Sequence, residues 1–99
     1  MVERMKGFEK RGDILNNLRK GLPPEHAAAL AGVASRDFKV LVAYAKKEKK
    51  GDGATFFEEL DKAILVAEAG LFVKILKGDK GAEKLLREVR ESALRCGVF

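Results

Sequence analysis

The sequence predicts an all-α, single-domain fold: an N-terminal three-helix unit holding a helix-turn-helix, residues 1–50, followed by an antiparallel helical hairpin, residues 51–99. Three observations predict it. Apolar residues recur at three-to-four spacing along most of the chain, and no stretch alternates as a strand would. Glycine or proline interrupts the pattern between successive periodic segments. The run from Pro24 to Ala43 sets small residues, a glycine, an apolar plug, a capping hydroxyl and apolar anchors in helix-turn-helix order.

Met1 to Gly12 is polar and basic, with two glycines that weaken a continuous helix. It reads as a segment with a mobile end, with Phe8 packing on the domain and Arg4, Lys6, Lys10 and Arg11 available as an arm along phosphates. Asp13 can cap a first helix whose apolar face is Ile14, Leu15 and Leu18, and Gly21 ends it. Leu22-Pro23-Pro24 then forces a corner, because a residue before proline leaves helical conformation while proline suits a helix's first position.

In the second helix Ala27, Ala28 and Ala31 are small enough for a close helix crossing. Gly32 can take the positive φ of a sharp turn, Val33 plugs the corner and Ser35 is placed to cap the third helix. Phe38, Leu41 and Val42 seat that helix on the core. Such a turn leaves the third helix projecting as a ridge that fits the major groove of DNA. Its outward residues are Arg36, Lys39, Val40 and Ala43, with Ser35 at its start and Asp37 as a partner for the helix dipole. Arginine and lysine reach guanine edges or phosphates, and small apolar residues lie against thymine methyls. Lys46, Lys47, Lys49 and Lys50 close the helix's negative end and extend the basic surface along the backbone.

Gly51-Asp52-Gly53 breaks the pattern, and Thr55 with Glu58 three positions later makes a capping box for a long fourth helix. One face carries Phe56, Leu60, Ile64, Ala67, Leu71 and Ile75; another carries Leu65, Ala69, Phe72, Val73 and Leu76. Such breadth exceeds what a single surface helix needs. Either the helix is enclosed within one chain, or it is an association surface on which Phe56, Leu60, Ile64, Leu65, Phe72 and Leu76 join copies. Gly78 ends it. Asp79 caps the last helix, with Ala82, Leu85, Leu86, Val89, Ala93 and Cys96 along its apolar line and Glu83–Arg87 and Glu91–Arg95 as i, i+4 pairs.

Ninety-nine residues bury only about 60–65% of the unfolded surface, so a partner subunit would help. The formal charge of +5 suits a polyanion, and its distribution matters more than its total. Ala34 to Lys50 holds Arg36, Lys39, Lys46, Lys47, Lys49 and Lys50 against Asp37 and Glu48, whereas Gly51 to Lys77 is net acidic. One cysteine, Cys96, and one histidine, His26, supply neither a disulfide nor a metal-ligand set. No segment approaches the ~20 apolar residues of a membrane span, so the expected location is cytoplasmic, without membrane association. With no phosphate-binding glycine loop and no nucleophile with an adjacent base, no enzyme or cofactor is expected.

The run Ile14-Leu15, Leu18, Gly21, Ala27-Ala28, Gly32-Val33, Ser35 and Phe38, followed by Phe57 and Ala63 to Ala69, resembles the small terminase subunits of tailed phages. The resemblance covers about Asp13 to Leu86 by element order, and departs from many relatives at Leu41, where they carry tryptophan, and at Asp37, where they carry threonine. It implies recognition of the viral genome's packaging start, assembly into a ring, the large terminase motor subunit as a partner, and residence in the host cytoplasm. DNA contact would then fall on Ser35, Arg36, Lys39, Val40 and Ala43. The residues leave two alternatives open: a dimeric helix-turn-helix transcriptional regulator, and a protein-interaction module whose basic helix meets an acidic partner.

Overall fold

The computed structural model describes residues 2–99, and its topology is all-helical. Two short 3-10 turns, Val2–Arg4 and Phe8–Lys10, lead into α1 (Arg11–Arg19), α2 (Pro24–Leu30), α3 (Ser35–Lys47), α4 (Asp52–Leu76) and α5 (Lys80–Arg95). No strand occurs among the described residues.

Four of the five helices stop in the same way. Gly21, Gly32, Gly78 and Gly97 take positive φ just past α1, α2, α4 and α5. The next residue's N–H then reaches back five positions: Leu22 to the Asn17 carbonyl (3.3 Å), Val33 to Ala28 (2.8 Å), Asp79 to Lys74 (3.0 Å) and Val98 to Ala93 (3.0 Å). This left-handed cap satisfies carbonyls that a helix end would otherwise leave bare. It also turns Val33 and Val98 inward, where both are buried. Pro24 takes the first position of α2, and the Asp79 carboxylate accepts from the Ala82 N–H at 3.2 Å to open α5.

Helix starts depart from the expectation in three places. The Phe8–Lys10 turn runs straight into α1, so Asp13 lies inside the first turn and Lys10 holds the cap position. Gly51, at φ 94°, redirects the chain so that α4 begins at Asp52; Thr55 stands a turn inside, exposed, and no capping box forms. Ala34, in extended conformation, precedes α3, and the Ser35 hydroxyl bonds to Glu25 instead of capping its own helix.

The N-terminal segment is no free arm. Val2 is fully buried, Phe8 stands edge-on to Phe56 with ring centroids 5.8 Å apart, and Arg11 lies 4.3 Å over the Phe8 ring. Gly7 lets this segment approach the α2–α3 corner: it combines φ +94° with a position where a Cβ would sit 2.9 Å from a Val33 methyl.

α4 is the central element. Its 25 residues span about 37 Å at the helical rise, which sets the 45 Å long dimension of the molecule. α1, α3 and α5 all pack on it, and α2 is held by the same three neighbours. Phe56, Leu60, Ala63, Ile64, Ala67 and Leu71 are buried in one hydrophobic core with Ile14, Leu18, Phe38, Leu41 and Val89. Phe56, Leu60 and Ile64 are therefore core residues at most 1% exposed, out of reach of a neighbouring chain, which corrects their place on an association surface. The three-residue link Lys77 to Asp79 folds α5 back along α4, where Arg90 bonds Glu68 at 2.6 Å. No helix of the described residues is long and apolar enough to cross a membrane.

Candidate nucleic-acid interface

α3 is amphipathic. Phe38, Leu41, Val42 and Ala45 are wholly buried, and at 100° per residue they occupy one side of the helix. The opposite side carries Arg36, Val40, Ala43 and Lys47, all exposed, in a line running the helix's length. Tyr44 flanks that line and is 43% exposed, with the Lys47 ammonium 5.6 Å over its ring. Tyr44 is not among the expected DNA contacts; its step of four from Val40 is the signal that places it there.

The remaining cations differ in their freedom. Lys49 and Lys50 lie past the end of α3, exposed. Lys46 is exposed but donates to the Gly97 carbonyl at 3.3 Å, pinning the C-terminus to α3. Lys39, half-buried at the edge of the ridge, stands 3.9 Å from a Glu25 carboxylate oxygen. Asp37, in the first turn, pairs with Lys6 at 3.6 Å, so a cation of the N-terminal segment offsets the acid nearest Arg36.

Glu25, absent from the expected site residues, joins three helices behind the ridge. Its carboxylate accepts from the Arg95 Nε at 2.7 Å and the Ser92 hydroxyl at 3.3 Å on one oxygen, and from the Ser35 hydroxyl at 3.0 Å on the other. Its backbone N–H donates to the Ser92 Oγ at 3.0 Å, so a side chain from α5 satisfies a bare donor in the first turn of α2. The Arg95 hydrogen bond, reinforced by Ser35, Arg95's charge and Lys39, holds the Glu25 carboxyl below its ordinary value against the opposing effect of burial. The same contact raises Arg95. Ser35 is thus engaged inward and Arg95 pairs with Glu25; among the described residues neither expected i, i+4 pair, Glu91–Arg95 or Glu83–Arg87, comes within 4 Å. On the other side of α2, the buried Asn17 amide donates to the Ala27 carbonyl at 3.1 Å. Polar ties from α1 and α5 therefore fix α2, and α2 in turn meets α3.

His26 is exposed on α2, whereas the Cys96 thiol is buried and pushed up chiefly by that burial, with Glu25's charge adding to it. Among the described residues no three His, Cys, Asp or Glu side chains gather where a metal ion could be held.

Of the ten large apolar side chains left exposed among the described residues, Leu65, Val66, Phe72, Val73 and Leu76 share α4. With Ala69 they occupy the side of that helix opposite its buried stripe, and Leu76 is 86% exposed. The expected second stripe is therefore uncovered in the single chain. Leu65, Phe72 and Leu76 are the members of the predicted association set that face outward.

No protein-family model matches the chain, and no curated protein or solved structure matches it.

Proposed function

We propose that this chain is a duplex-DNA-binding protein in which α2 and α3 act as a helix-turn-helix, and α4 and α5 as a hairpin through which copies assemble. The observation that carries the reading is the exposed line Arg36, Val40, Ala43 and Lys47, set on a helix whose other side is fully anchored in the core. Cations at its ends and small apolar residues between them match phosphates and guanine edges flanking thymine methyls. In the terminase-like form of this reading, several copies array their ridges around the packaging start of a viral genome and hand it to the large motor subunit, multiplying weak contacts.

One observation favours the dimeric regulator as a second form. The exposed apolar surface of α4 is one stripe, and a single self-complementary stripe closes a two-fold, whereas a ring requires two different faces that fit each other.

Fluorescence anisotropy on labelled duplex DNA tests the shared core of both forms. Arg36→Ala combined with Lys47→Ala, the two cations of the exposed line, weakens binding at least tenfold at low salt if the ridge meets DNA. Equal binding by parent and variant removes α3 from the interface.

A further inference from the structure

We infer that the outward stripe of α4 is a docking surface for a second copy of this chain, packed antiparallel about a two-fold axis lying between Ala69 and Phe72. This deepens the assembly part of the proposed function and rests on that part alone, not on DNA contact.

Spacing comes first. Leu65, Ala69, Phe72 and Leu76 follow one another at steps of four, three and four, the repeat that keeps a seam facing a partner helix. Laid antiparallel about the middle of that run, Leu65 meets the other copy's Leu76, and Ala69 meets its Phe72, small against large. Val66 and Val73 flank the seam on one side. On the other, Phe72 has Arg90 5.6 Å from its ring, and Arg90 is tied to Glu68. The seam is thus apolar along its length, with its rim charge already paired.

Charge sets the direction. The outward part of α4 before the stripe carries Glu58, Glu59 and Asp61, with Lys62; the helix end and the turn after it carry Lys74, Lys77 and Lys80, with Asp79. Antiparallel packing brings the acidic start of one copy's α4 toward the basic end of the other's α4 and the turn after it. Parallel packing would lay acid on acid and base on base.

Area agrees. Five side chains about half exposed or more leave an apolar stripe on the order of 400 Å², the size of a typical single chain's largest apolar patch, which is often functional. Two-fold symmetry doubles it, and the charged ends bring the total toward the ~1,200 Å² at which stable interfaces begin. The inner stripe of α4 already has its partners within the chain, so the second stripe needs a second copy.

Sedimentation equilibrium and disulfide trapping on the full chain test this. The 10.9 kDa chain should sediment as a dimer, and Leu65→Lys with Leu76→Lys should convert it to a monomer with unchanged helical circular dichroism, since both positions are exposed. Mixing a Leu65→Cys chain with a Leu76→Cys chain under mild oxidation should give a disulfide-linked heterodimer. Leu65→Cys alone should not link to itself, because the two copies of residue 65 would lie about 16 Å apart along the axis. The parent, whose Cys96 is buried, serves as the blank. A monomeric parent, a trimer or larger ring, or self-linking of Leu65→Cys each overturns the proposal. A dimer that fails to bind DNA leaves it standing and removes the nucleic-acid reading.

Discussion

Salt dependence gives the sharpest quantitative consequence of the ridge. Each cation that neutralises a phosphate releases a counterion, and log affinity for duplex DNA falls with log salt at a slope of about −0.9 per contact. Of the six basic residues between Ala34 and Lys50, Lys39 leans on Glu25 and Lys46 on the Gly97 carbonyl, whereas among the described residues Arg36, Lys47, Lys49 and Lys50 meet no carboxylate within 4 Å. Four contacts per copy give a slope of about −3.6, so raising salt fourfold from 50 to 200 mM should weaken binding by about 150-fold. Replacing Lys47, Lys49 and Lys50 with alanine leaves Arg36 as the principal contact. The slope should then shrink to about −0.9 and the same salt step should cost only about fourfold. All three lysines are exposed, so the variant should retain stability to within about 0.5 kcal/mol, which thermal melting checks. Anisotropy titrations at four salt concentrations read the slope directly, expressed per bound copy. An unchanged slope in the triple variant would refute the assignment of these lysines to the DNA backbone, whatever the absolute affinity.

Two further predictions concern the scaffold behind the ridge. Gly7→Ala should destabilise the fold by roughly 2–4 kcal/mol, combining the cost of positive φ with a clash against Val33, whereas Gly21→Ala, at φ +99° with open space around it, should cost only about 1–2 kcal/mol. Equal losses in urea denaturation would mean that the N-terminal segment does not clamp the α2–α3 corner. For Glu25 the pH dependence has a definite sign. The folded carboxyl is held below its ordinary value of 4.5, so between the two values the unfolded chain binds the extra proton. The stabilisation is full above 4.5 and is lost as pH falls through the depressed folded value. The melting-temperature gap between the parent and Glu25→Gln should therefore close on acidification, and a gap that is the same at pH 3 and pH 7 would remove the carboxylate's charge from the account.

Local features of the fold were legible in the sequence, and remote ones were not. Gly21, Gly32 and Gly78 mark helix ends because a residue without a Cβ is what the left-handed cap needs, and that requirement acts within one turn. The apolar side of α3 is equally local, since Phe38, Leu41, Val42 and Ala45 share it by period alone. Glu25 could not be found that way: Ser92 and Arg95 lie 67 and 70 residues along the chain, so only the folded backbone brings them to α2. Spacing likewise matched Arg95 with Glu91, a solvated i, i+4 neighbour, while the fold offers it a carboxylate also held by two hydroxyls. Phe56, Leu60 and Ile64 were misplaced for a related reason. Periodicity shows that a helix has two apolar faces, but which of them its own chain covers depends on where α1, α3 and α5 pack.

Under the proposed function, the two faces of α4 would also connect assembly to DNA affinity. Four free cations per copy are few for a stable grip on a duplex at physiological salt, where non-specific binding lies at about 10⁻⁴ to 10⁻⁶ M. Covering the outer stripe joins two ridges rigidly, and a second ridge that engages the same duplex does so at an effective concentration that can raise avidity about 10²- to 10⁴-fold without a new contact. The stripe itself sets the energy available. Burying what remains exposed of Leu65, Val66, Phe72, Val73 and Leu76 gains about 4–9 kcal/mol per copy, or about twice that per pair, against an association cost of about 4–15 kcal/mol. On the proposed interface, that margin would give a dimer whose population depends on protein concentration. If the outer stripe joins two copies, a ridge that is weak alone and effective in pairs should respond to protein concentration more steeply than a monomeric binder, through a helix whose inner face already holds each domain together.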